Sequence, residues 1–168
     1  MALAKKFLIA IVAIVAVMAA LIAIPIVTQP SAAFDVNYER QRMTKSGSGY
    51  VATSDEILHV SKDGAVAYSS SNPQTRSFPQ EKQFTLSSEE LGSLKGLFLE
   101  TGFMDIPQAD YSQVKEGASN YTKYTLAVRS DDKAKAFSWV DSDVSRVAAP
   151  SIITKAGFQL DGLILSKT

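Results

Sequence analysis

The sequence has no cysteine and a single histidine, His59. The first absence excludes disulfides, thiolate zinc sites, a cysteine nucleophile and a lipidated-cysteine anchor. The second rules out a His-rich metal site and routes every Ser-His-Asp scheme through one residue. Charge of one sign is lacking too, with 17 Lys and Arg against 17 Asp and Glu in 168 residues. A neutral chain has no basic surplus to offer a polyanion, so no nucleic-acid partner is expected.

What is abundant is apolar sequence near the N-terminus. Phe7 to Val27 runs for 21 residues without a charged or strongly polar side chain. At about 1.5 Å per residue, a helix of that length reaches roughly 31 Å, which matches a hydrocarbon core of about 30 Å. Residues 1–33 therefore read as an N-terminal transmembrane helix with its linker, and 34–168 as a separate domain. The rival reading is a cleaved signal peptide, with Lys5 and Lys6 as its basic n-region and Ser31-Ala32-Ala33 as a small-residue cleavage site before Phe34. Length favours the anchor, because a signal h-region usually spans about 7–15 residues.

Two lysines precede the run and the next positive residue is Arg40, so the positive-inside rule puts the N-terminus in the cytoplasm and the domain outside. Cleavage would leave the same domain secreted. Removing Lys5 and Lys6 from the 17 basic residues leaves 15 against 17 acidic ones, a net of −2 for the outer part. Within the run, Ala13, Ala16, Ala20 and Ala23 fall within about 80° on a helical wheel, a small-residue face against which another transmembrane helix can pack. The partners implied are the lipid bilayer and other subunits of a membrane complex.

Beyond residue 33 the hydrophobic period sets the elements. Phe34, Val36 and Tyr38 alternate with polar residues, as a strand with one buried face requires. Thr44 to Gly49 reads as a flexible loop. Glu56 to Val60 and Ala65 to Tyr68 flank Lys62-Asp63-Gly64, a strong hairpin cue. Phe78 to Leu86 adds a short strand that Pro79 keeps near an edge. Ser87 and Glu90 fit a capping box, and Leu91, Leu94, Leu97 and Phe98 recur at helical spacing until Gly102. Phe103, Met104 and Ile106 are expected to tuck into the core, and residues 108–120 to form a long exposed loop. Tyr121 to Arg129 and Lys135 to Val140 make a second hairpin around Ser130-Asp131-Asp132, and Pro150 opens a last helix carried by Ile152, Ile153, Ala156, Leu160, Leu163 and Ile164. The expected fold is α+β, an antiparallel sheet of hairpins with two helices packed on one face.

A search for chemistry assigns no catalytic, cofactor or metal residue. His59 lies on a strand with no Gly-x-Ser-x-Gly elbow nearby. The carboxylate pairs Asp55-Glu56, Glu89-Glu90, Asp131-Asp132 and Asp141/Asp143 have simpler uses at a helix start or a turn, and no calcium-loop pattern is present. Tyr121, Tyr124, Phe137 and Trp139 read as core. Ser46, Gly47, Ser48, Gly49 and Tyr50 make the better contact candidate, a mobile backbone presenting an aromatic. Asn120-Tyr121-Thr122 is a candidate N-glycosylation sequon at Asn120.

From Ser46 to about Ile164, the series Ser46-Gly47-Ser48-Gly49-Tyr50, Leu86-Ser87-Ser88-Glu89-Glu90-Leu91, Gly102-Phe103-Met104-Asp105-Ile106-Pro107 and Tyr121 to Val128 resembles emfourin-type domains. These are small α+β proteins whose known representative is a proteinaceous inhibitor of protealysin, a thermolysin-like metallopeptidase. The resemblance implies a metallopeptidase as partner. It also implies a role for Ser46 to Tyr50, which stand where that family has a Ser-Gly-Gly-Phe-like loop, with Ser48 interrupting the glycine pair and Tyr50 replacing phenylalanine.

Two functional expectations follow. The first is a non-enzymatic, single-span extracytoplasmic protein acting by contact as an accessory or stabilising subunit of a membrane complex. The second is an emfourin-like inhibitor of thermolysin-like metallopeptidases.

Overall fold

Alternation governs the first strand, in which Phe34, Val36 and Tyr38 are buried while Asn37 between them is exposed. A computed structural model describes residues 34–75 and 77–167. The predicted transmembrane helix and the face formed by Ala13, Ala16, Ala20 and Ala23 lie outside those residues. In chain order the elements are β1 (Phe34–Ser46), β2 (Gly49–Val60), β3 (Ala65–Ser71), β4 (Gln80–Thr85), α1 (Ser88–Leu99), a 3-10 turn (Phe103–Asp105), β5 (Asp110–Tyr111), β6 (Asn120–Ser130), β7 (Lys133–Val140) and α2 (Ser151–Lys167). No helix among the described residues is long and apolar enough to cross a membrane.

The seven strands form one sheet in the order β4-β3-β2-β1-β6-β7-β5. Five of the six pairings are antiparallel, but β5 runs parallel to β7 through Asp110 opposite Ser138 and Tyr111 opposite Trp139. The sheet is therefore mixed, which corrects the all-antiparallel expectation. The stretch 108–120 is not simply a loop either. It contributes β5 and is then tied down by Lys115 N–H donating to the Val144 carbonyl and Arg146 N–H to that of Gln113. A two-residue strand shows no periodicity in the sequence, so nothing there announced it.

One face of the sheet carries the core. Val36 lies opposite both Val60 and Val128, Tyr38 opposite Leu58 and Leu126, and Leu126 opposite Phe137, all on the same side. Both helices contact that side. Phe98 of α1 packs on Phe34 and Phe103, and Gly157 of α2 approaches Trp139 and Tyr38. The opposite face is polar and carries Asn37, Glu39, Gln41, His59 and Thr125. Its edge strand β4 is almost wholly exposed, with Glu81 and Lys82 on it, charges of the kind that discourage pairing with another chain.

Local signals explain the joins. The Ser87 hydroxyl accepts from Glu90 N–H at 3.1 Å, and the Glu90 carboxylate accepts from Ser87 N–H at 2.7 Å, so both halves of the capping box are made. The α1 helix ends at Leu99, before Gly102, whose φ of 79° instead turns the chain into Phe103. Phe103 and Met104 are buried as expected. Pro150 stands just before α2, and its carbonyl accepts from the backbone N–H groups of Ile153 and Thr154.

The expected flexible loop at Thr44 to Gly49 is a correction. The strands continue to Ser46 and resume at Gly49, paired across a two-residue turn. Gly47 has φ 59° and Ser48 does not enter the positive-φ region, which suits a type II′ hairpin with glycine first. A bulge follows: Arg42 pairs with Ser54 and Met43 with Ala52, leaving Thr53 over, and the Thr53 hydroxyl donates to the Arg42 carbonyl. One extra residue reverses the side-chain alternation, so Glu56 and Ser54 face the helix side while Ala52 and Tyr50 face the other.

Candidate functional site

At the hairpin tip, Ser46, Gly47, Ser48 and Gly49 are exposed and Tyr50 is half-buried. Tyr50 is not the free aromatic expected. Its hydroxyl donates to the Ala118 carbonyl at 2.9 Å, and its ring meets Tyr121 edge-on at 5.0 Å. Lys45 N–H donates to the Ser119 carbonyl beside it. The tip is thus a braced hairpin, set at the far end of β1 from Phe34. Asn120 is exposed as the first residue of β6, opposite Thr44.

His59 lies on the polar sheet face, where its Nε2 is 2.7 Å from Asp35 Oδ2. The residues directly across from it on the neighbouring strands are Asn37 and Ala67, neither of them a nucleophile. Further along the same face, Gln41 donates to Glu39 at 2.7 Å, while Asp55 Oδ1 is buried without a hydrogen-bond partner. Burial, and for Glu39 the neighbouring charge of Asp55, pushes both carboxyls above their ordinary range. Among the described residues, no group of three or more His, Asp and Glu is arranged to hold a metal ion.

The helix side holds a second polar network. Arg40 bridges Glu56 of β2 at 2.5 Å and Asp161 of α2 at 3.0 Å, and the Tyr38 hydroxyl donates to the same Asp161 oxygen at 2.9 Å. Beside it, Tyr124 donates to Asp141 at 3.0 Å, and Asp141 also accepts from Thr122 N–H. Tyr38, Tyr124 and Trp139 stack over this region, with Tyr124 and Trp139 at 5.2 Å and 11°. Burial comes first in pushing the Tyr124 phenol up to about 12, with the Asp141 charge adding to it. Burial likewise raises the Asp161 carboxyl, against the pull of Tyr38 and Arg40.

Two further acidic residues act through their backbone. Asp131, with φ 51°, makes the β6–β7 turn, and the backbone carbonyl of Asp143 accepts from the Lys115 ammonium. Of the four aromatics read as core, Phe137 and Trp139 are buried, Tyr124 is half-buried beside them, and Tyr121 lies on the opposite sheet face against Tyr50.

Sequence reasoning missed the Arg40–Asp161 connection because its partners are 121 positions apart. A faint signal existed, since Asp161 interrupts the apolar stripe of α2 and Arg40 continues the buried phase of β1. A scan against protein-family models and a search among curated proteins each found no match to this chain.

Proposed function

We propose that the protein is a membrane-anchored extracytoplasmic interaction protein, a non-catalytic accessory or stabilising subunit of a membrane complex. The observation that carries the reading is on α2, where Phe158 is 82% exposed and Leu165 77% exposed. Seven residues apart, they lie two helical turns from each other on one side. Large apolar groups held in water on a helix surface are what a partner contact removes from solvent. The apolar run Phe7 to Val27 supplies the tether, and its two leading lysines the orientation.

Photocrosslinking from position 158 in intact membranes tests the reading. A discrete heteromeric product is expected, weakened by Leu165→Glu. Migration as a lone monomer under mild extraction, with no crosslinked product, overturns it.

A second reading, the emfourin-like inhibitor, is favoured by the hairpin tip. A braced two-residue turn with four exposed small residues is narrow enough to enter a protease cleft, and bracing lowers the ordering cost of binding. Full-length protein in detergent should then reduce the activity of a thermolysin-like metallopeptidase. Unchanged activity at micromolar protein disposes of this reading.

A further inference from the structure

A cleft of about 380 Å³ opens between the first half of α2 and the 141–149 connection that precedes it. Tyr124 and Trp139 line it as a stacked pair, Asp141 and Asp161 supply carboxylates, Thr154 stands on the helix side, and Phe158 stands beside them, largely exposed. A pocket of several hundred Å³ with an aromatic floor and a few convergent polar groups is the usual form of a binding site.

The charges decide what kind of group suits it. The ionisable side chains lining the cleft are Asp141 and Asp161; Arg40, outside the lining, is shared between Asp161 and Glu56, so the balance at the cleft stays negative. Tyr124 donates its hydroxyl proton to Asp141 and Tyr38 donates its own to Asp161, so both phenols already serve the carboxylates. A neutral sugar can also stack on aromatic rings, but it gains nothing from the excess negative charge. A guanidinium gains twice, because it is planar enough to lie on an aromatic face and forks its N–H groups toward carboxylate oxygens.

We propose that this cleft receives an arginine side chain of the partner protein, its guanidinium between Asp141 and Asp161 and its methylene stem along Phe158. The proposal rests on the interaction-protein reading above and names the chemistry of the contact. The raised Tyr124 phenol and Asp161 carboxyl report the same negative, partly dry surroundings.

Trp139 is the single tryptophan of the chain, so its fluorescence reports on this cleft alone. Full-length protein in detergent is titrated with arginine amide, with citrulline amide as the neutral isostere, and with methyl β-glucopyranoside. The expected result is a saturable change with arginine amide that weakens as salt is added, with citrulline amide roughly tenfold weaker. Thr154→Arg places a guanidinium of the chain itself in the cleft from an exposed position and should abolish the response. Equal responses to the two amides, saturation by the glucoside alone, no saturable change, or an unaltered response in Thr154→Arg each overturns the assignment.

Crosslinking in membranes separates this proposal from the one beneath it. A partner captured equally by wild type and Thr154→Arg removes the cleft and leaves the interaction reading standing. Arginine amide binding with no partner captured removes the interaction reading instead.

Discussion

Gly157 of α2 lies against the indole of Trp139 so closely that a Cβ added to it would stand 2.6 Å from Cζ2 and 3.6 Å from the Tyr38 hydroxyl oxygen. The glycine lets the helix settle onto the aromatic stack, and Trp139, 4% exposed, cannot retreat. Gly157→Ala should therefore destabilise the domain by about 1–3 kcal/mol, the usual cost of overpacking, although alanine is the better helix former. Urea unfolding followed by Trp139 fluorescence measures it. A variant as stable as wild type would show that the helix shifts without cost.

Arg40 is the hinge of the other contact between sheet and α2. Its partners Glu56 and Asp161 have side chains only 18% and 21% exposed. Arg40→Met keeps the stem and removes the charge, leaving two half-buried carboxylates facing each other. A loss of about 1–3 kcal/mol is expected, between the values typical of surface and fully buried pairs. The Arg40→Met, Asp161→Asn double variant should recover part of it, and strictly additive losses would deny the coupling.

The carboxyls of Glu39 and Asp55 give the polar face a pH dependence of definite sign. Both are raised in the folded protein, with burial the largest cause for each. A raised folded value means that the protonated form favours folding. The contribution is fully present below the ordinary carboxylate range and is lost as pH rises through the raised folded values. Asp55→Asn, which also gives Glu39 a possible donor, should raise the urea midpoint at neutral pH and lose that advantage under mildly acidic conditions. A pH-independent effect of the substitution would refute the pairing.

At the hairpin tip the cost of substitution is in the backbone. A Cβ on Gly47 meets nothing within 4 Å, yet its φ is 59°. Gly47→Ala should cost about 1–2 kcal/mol through the left-handed conformation alone. Tyr50→Phe should cost about 1 kcal/mol through the lost bond to Ala118 and speed amide exchange in residues 118–120, while Ser48→Ala, exposed and outside the positive-φ region, should be neutral. Exchange unchanged in Tyr50→Phe would mean the brace is not what holds the loop.

How much of this was legible in the chain follows from the range of each signal. Phe34, Val36 and Tyr38 declare a strand because the period of two is local, and Ser87 with Glu90 declares a helix start because the cap spans only three positions. The turns at Lys62-Asp63-Gly64 and Ser130-Asp131-Asp132 were readable for the same reason. Where glycine and serine alternate, at Ser46 to Gly49, composition suggested mobility. Strand pairing on both sides made a tight turn instead, since the hydrogen bonds of β1 and β2 outweigh the freedom of four small residues.

By itself the sequence determined the apolar run of Phe7 to Val27, the α+β order of elements and which residues are apolar enough to form the core. Only the tertiary structure decided that β5 runs parallel to β7, that the Thr53 bulge turns Tyr50 away from Glu56, that Tyr38 and Arg40 both reach Asp161, and that Tyr124, Asp141 and Asp161 line one cleft. Those outcomes depend on groups far apart in the chain approaching within about 3 Å, the range of a hydrogen bond. No window of local sequence contains that distance; it exists only once α2 has been laid across the sheet.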